Sequence, residues 1–338
     1  MRSASAALAL FFAATIVLFS LSAPRFASAS TVENLMSGFS FAAILAMGQA
    51  FPILVRGIDL SIGAIVGLVG MIVFDLSLIL HVPGYFILPL ALLAGALAGA
   101  LNGVLIVHLR LQPFIATLAT LAAYRGLTYA ISGRQLVPGL TTTPIRDPWL
   151  TGIETYFDVG RWLGLSRLVN MPWVPLSFVI MLAVFAVLQV LLTSTRFGRD
   201  IYATGGNYEA ARLAGIRVNG VIIAAYALAG LCAAIAALIM VARFTTATEA
   251  LGAGMELTAI AAAVIGRVSL AGGVGAMFGP ALGAFLLGAI LIGLTLQGVP
   301  QFVQQIITGA ILLAAVGYDR LLSARRQRRL SAPSATAT

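Results

Sequence analysis

Residues 195–218 read TRFGRDIYATGGNYEAARLAGIRV, the longest run in the second half of the chain that is too polar for hydrocarbon, with apolar segments of spanning length on both sides. A polar run between two such segments sits at a membrane surface, and this makes the rest of the chain a set of spans. Four arginines (Arg196, Arg199, Arg212 and Arg217) outnumber two acids, Asp200 and Glu209. Arginine-rich short loops face the cytoplasm. Residues 208–216 are mostly good helix formers, and Gly205, Gly206 and Asn207 ahead of them suit a turn and a helix start. The run therefore predicts one short helix lying along the membrane after a glycine turn. On these residues alone it either keeps the topology or meets a soluble partner.

Composition agrees with spans. Apolar residues make up 60% of the 338, charged residues 9%, and the mean hydropathy is +1.04. A soluble domain of this length could not cover its surface with so few charges, so an all-α polytopic membrane protein is expected. A net charge of +9 would point to nucleic acid in a soluble protein. Here the arginines lie between apolar spans and at the C-terminus, where topology accounts for them, and no nucleic acid is expected. All 20 basic residues are arginine. Without lysine there is neither a P-loop lysine nor a Schiff base, which excludes ATP binding through a Walker A motif and pyridoxal phosphate chemistry. The single Cys232, with only His81 and His108, leaves no expected disulfide, metal site or cofactor.

Taken in order, segments 6–21, 35–55, 62–80, 86–107, 113–131, 173–192, 221–241, 255–266, 277–296 and 302–316 are candidate spans. The first resembles a cleavable signal peptide too; the retained reading is preferred because the downstream orientation needs no cleavage. Segment 255–266 is about half as long as ~30 Å of hydrocarbon requires at 1.5 Å per residue, so it is a short or partly re-entrant helix. After it, SLAGGVG at 269–275 is a break tolerated only in a buried or water-lined place. Residues 132–172, with four prolines before Trp173, form a long external loop, and 318–338 form a basic tail. Ten crossings put both termini and most arginines in the cytoplasm; dropping the short helix would put the tail outside. Gly95, Gly99 and Gly103 recur as Gly275, Gly279 and Gly283 at the same spacing, which reflects either chance or two related halves with a path between them.

Three runs then carry a resemblance. GIDLSIG at 57–63, ATGGNYEAARLAGI at 203–216, and ELTAIAA at 256–262 with SLAGG at 269–273 are similar to the membrane permease subunits of ribose-type bacterial ABC sugar importers. The similarity covers roughly residues 35 to 318, with the motifs in the family's order. One departure is Arg267, where the family more often has a small residue. The resemblance implies a permease dimer, of one chain or of two similar ones, in the bacterial inner membrane. It also implies cytoplasmic ATPase subunits and a periplasmic sugar-binding protein as partners.

On that reading residues 195–218 hold the ATPase-facing coupling helix. Gly205, Gly206 and Asn207 permit the turn, Glu209, Ala210 and Arg212 face the ATPase, Leu213 and Ile216 anchor the helix to the bundle, and Gly215 belongs to the same coupling element. Polar residues within spans are costly unless they face partners or water, so Gln49, Asn102, Thr117, Glu256 and Thr258 are candidates for the translocation path, with Thr120 and Arg125 beside them. Asn102, next to Gly103, is the one expected to bond between helices. Glu256 is expected to cap its helix, and Arg125 to snorkel or pair with it. A branched-chain amino acid permease is the nearest competing function. An ion-coupled transporter would carry more intramembrane carboxylates than Glu256, Asp75 and Asp59, of which the last two read as helix-end residues. No set of catalytic groups points to an enzyme.

Overall fold

The computed structural model describes residues 2–132, 144–157 and 174–331. Among these, α-helices form almost everything: α1 (Arg2–Ser22), α2 (Ala29–Leu54), α3 (Ile62–Leu78), α4 (Gly84–His108), α5 (Pro113–Ile131) and the single turn α6 (Pro148–Thr151). There follow α7 (Leu176–Ser194), α8 (Arg196–Gly206), α9 (Tyr208–Leu213), α10 (Val218–Phe244), α11 (Met255–Ile265), α12 (Phe278–Leu296) and α13 (Gln301–Ser331). The two-residue strands Tyr156–Phe157 and Val174–Pro175 pair antiparallel beside the start of α7. Six helices, α2, α4, α5, α7, α10 and α12, are long and apolar enough to cross a membrane; the apolar parts of α1, α3, α11 and α13 are shorter. These ten helices coincide with the ten segments picked out in the sequence.

α2 is the hub. From Ala42 to Leu54 every one of its residues is buried, and α10, α11, α12 and α7 pack around it. Lipid is as apolar as leucine, so such helices are held by close backbone packing rather than by the hydrophobic effect. The glycine ridges supply that packing. A Cβ at Gly99 of α4 would lie 2.1 Å from the Tyr226 carbonyl oxygen of α10, and one at Gly279, just inside α12, would lie 1.8 Å from the Gly266 oxygen after α11. Large side chains such as Leu93, Leu97, Phe114 and Val187 stand exposed on the outer faces of α4, α5 and α7, as a lipid-facing surface requires.

Two connections turn back into the bundle. Residues 55–61, between α2 and α3, bury Asp59 and Ser61 completely. Residues 245–254, between α10 and α11, lie against α3: a Cβ at Gly63 would meet the Gly252 carbonyl oxygen, and one at Gly67 the Leu251 oxygen. The short α11 thus continues a loop that has already re-entered. Its free carbonyls are satisfied by Arg125, whose Nη1 donates to the oxygens of Glu249 at 2.9 Å and Leu251 at 2.7 Å. Arg125 therefore does not snorkel, and Glu256 acts on its charge from nearby without a direct ion-pair contact. Irregular backbone inside a membrane protein needs such internal donors. Arg267 is exposed just beyond α11, so its bulk does not disturb the packing.

Of the long loop expected over 132–172, residues 133–143 and 158–173 lie outside the described residues. The remainder forms α6, a 3-10 turn (Gly152–Glu154) and the strand pair. Asp147 caps this part, accepting from Trp149 N at 2.8 Å and tying it to Gly84 N of α4 at 2.9 Å. The expected tail continues α13 as helix to Ser331, and residues 332–338 lie outside the described residues.

Candidate functional site

Residues 195–218 fold as two helices rather than the one expected. α8 starts on Thr195, whose Oγ1 accepts from Gly198 N at 3.2 Å. It is amphipathic and buries Gly198, Ile201, Thr204 and Gly205, the three-to-four spacing of one helix face. Gly205 and Gly206 are its last turn, not a turn ahead of a helix. The break falls at Asn207, which is extended at φ −155° and caps α9 by accepting from Ala210 N at 3.1 Å. Gly205 lies within α8 because its bare face meets another backbone: a Cβ there would sit 1.7 Å from the Leu54 carbonyl oxygen and 2.6 Å from Gly273 N.

That contact is one part of a three-way junction. The end of α2, the end of α8 and the 269–275 break meet, with Gly273 N donating to Leu54 O at 2.9 Å. Tyr202 Oη donates to Gly275 O at 2.7 Å. Arg56 donates through Nε to Gly205 O at 2.6 Å and through Nη2 to Gly206 O. The glycine-rich break is therefore a close-packed seam, in which Gly272 and Gly275 are buried while Ala271 and Val274 are exposed, with Gly272 at φ +82° and Gly273 at φ +69°.

α9 stands out from this junction. Glu209 and Arg212 form the one ion pair among the described residues, at 2.9 Å, with side chains 65% and 64% exposed. Ala210 and Gly215 are exposed as well. Leu213 is 83% exposed, so it does not anchor the helix; Ala211, 4% exposed, and Ile216 face the bundle instead. Six residues make less than two turns, and Leu213 falls on the opposite side from Ala211.

Three of the five expected path residues meet elsewhere, around Asp59. Its Oδ1 accepts from Ser61 N at 2.8 Å and Ser61 Oγ at 2.7 Å. Asn102 Nδ2 donates to Ser61 Oγ at 2.7 Å and more weakly to Asp59 Oδ2 at 3.3 Å, so the bond expected between helices runs from α4 to the connection ahead of α3 instead. Thr117 Oγ1 donates to Ile58 O at 3.1 Å. With its amide in the orientation that satisfies the network, Gln49 donates to Asp59 O at 3.1 Å and accepts from Asp59 N at 3.0 Å. Gln49, Asn102 and Thr117 are each 0% exposed, so none presents a polar atom to open space here. They hold residues 57–61 in place. Tyr226 completes the enclosure, its hydroxyl buried without a hydrogen bond against Gly57.

Glu256 and Thr258, in the first turns of α11, are half-buried, and among the described residues no hydrogen bond joins either to that cluster. Glu256 Oε2 lies against Gly63 of α3. The residues that sequence reasoning missed are Arg56 and Asp59. Asp59 read as a helix cap because it stands just before α3, although a carboxylate between two apolar spans is itself a signal.

A family model described as "Branched-chain amino acid transport system / permease component" matches residues 31–316. The chain belongs to this permease family. Its relatives include the ribose import permease protein RbsC of Escherichia coli (strain K12), 38% identical over 304 residues and covering 90% of each chain. RbsC of Bacillus subtilis (strain 168) is 37% identical over 314 residues, 91% of this chain and 90% of the relative. The D-allose transport system permease protein AlsC of Escherichia coli (strain K12) is 36% identical over 304 residues, 90% and 87% of the two chains. No solved structure matches. The match to the permease family takes in the junction and the Asp59 cluster alike.

Proposed function

We propose that this permease is the membrane subunit of an ABC importer that carries a monosaccharide across the bacterial inner membrane. Both termini and residues 195–218 face the cytoplasm, separate ATPase subunits drive transport, and a periplasmic sugar-binding protein delivers the solute to a pair of permease chains. The observation that carries this reading is similarity along about nine tenths of the chain to permeases named for ribose and for D-allose. Those names favour a sugar over the branched-chain amino acid in the family's description.

Two features of the chain support the division of labour. A chain without lysine has no P-loop of its own, so ATP-driven motion would have to come from another subunit. α9 offers a surface for that subunit, with the Glu209–Arg212 pair flanked by the exposed apolar side chains of Tyr208 and Leu213. An apolar anchor beside charged groups is what a protein contact uses.

The test is reconstitution. The permease, combined with the ATPase and periplasmic binding protein of a ribose-type importer, is placed in liposomes and uptake of labelled ribose or allose is followed. Uptake is expected only with all three proteins and ATP, and leucine is not expected to compete. Sugar uptake by the permease alone under an ion gradient contradicts the importer reading, and ATP-driven uptake of leucine in place of sugar contradicts the substrate class.

A further inference from the structure

We propose that Arg56 is a positioning residue of the transport cycle, the clamp through which displacement of α8 and α9 reaches the re-entrant segment 55–61. The proposal rests on the reading of residues 195–218 as the ATPase-facing element.

Arg56 is a poor place for a side chain by backbone alone. Its φ is +64°, in the left-handed region that is costly for an L-residue. Arg25, Arg110 and Arg267 share this backbone conformation, and what sets Arg56 apart is what its side chain binds. The last carbonyls of a helix lack intrahelical donors and carry the negative end of the helix dipole. Nε and Nη2 of Arg56 both donate to such carbonyls, those of Gly205 and Gly206. A planar guanidinium presents two donors in a fixed fork, which one ammonium group cannot reproduce.

These are the only hydrogen bonds among the described residues between 195–218 and residues 29–61. They grip α8 at its last turn, immediately before the break at Asn207 from which α9 projects. On the other side of Arg56 the chain is equally fixed. Gly57 N donates to Pro52 O at 2.7 Å, and two residues further Asp59 is held by Gln49, Ser61 and Asn102. A push on α9 therefore has a short, hydrogen-bonded route into the start of α3 and, through Asn102, to α4. Coupling of this kind needs contiguous groups whose arrangement both ends can bias.

The experiment compares wild type, Arg56→Ala and Arg56→Lys in the reconstituted complex, measuring ATP hydrolysis and solute uptake on the same vesicles. The wild-type complex must first show ATP- and binding-protein-dependent uptake; if it does not, the functional reading fails and Arg56 is not the cause. With wild type active, the ATPase chains keep hydrolysing in both variants while solute moved per ATP falls about tenfold in Arg56→Ala and less in Arg56→Lys. A merely structural role would lower complex yield and both rates in parallel. If Arg56→Ala does not assemble, Arg56→Lys, which keeps the charge and the stem but not the fork, decides alone. An unchanged ratio of solute to ATP, or failure of both variants to assemble, overturns the proposal.

Discussion

Asp59 shows what a single residue can demand of its surroundings. A carboxyl group taken out of water is costly unless its hydrogen bonds are replaced, and here Ser61 and Asn102 replace them while Gln49 satisfies the backbone on either side. The polar residues of the spans were legible because hydrocarbon penalises each of them. Their job was not, because a single sequence does not show that α2, α4 and α5 converge on one buried loop. Asn102→Leu would leave Asp59 and Ser61 each short of a partner, and a loss of about 1–3 kcal/mol of stability is expected. Thermal unfolding of the detergent-purified permease reads it; an unchanged midpoint would show that the Asn102 bonds contribute nothing net.

At the scale of elements, residues 195–218 were legible as a surface helix but not as two. Helix propensity and the N-capping preference of asparagine mark a start near Tyr208. Glycine is normally a helix breaker, and only the packing of Gly205 against Leu54 and Gly273 keeps it within α8. Tertiary contact overrode local preference there. Leu213 was misplaced for the same reason, since the boundary of a six-residue helix decides which side faces out. Glu209→Arg places like charges at the Glu209–Arg212 position and reverses the charge offered to the ATPase. An uptake loss of about tenfold or more is expected, since buried or interfacial charge reversal costs several kcal/mol, with normal insertion in the membrane; wild-type uptake would remove Glu209 from the coupling contact. The short α11 was legible from length alone, whereas the preceding loop's dive beside α3, held by Arg125, was not.

For the molecule as a whole, hydropathy and arginine distribution were enough to find all ten apolar helices, because each hydrocarbon-spanning segment announces itself by length and composition. The glycine ridges foretold close packing, and the structure shows with whom: α4 with α10, and α12 with the end of α11. The bundle has two ends of different character. One gathers the Arg56 junction and α9, and the other gathers α6, Trp149 and the strand pair near the start of α7.

The account stands or falls on which end meets the ATPase. Leu213 is 83% exposed and Trp149 60% exposed, so each tolerates replacement by cysteine, while the native Cys232 is buried. In the assembled transporter, a thiol-specific cross-linker is expected to join Leu213→Cys to the ATPase subunit and to leave Trp149→Cys unlinked to it. Linkage from position 149 instead of 213 would contradict the orientation and the coupling assignment together.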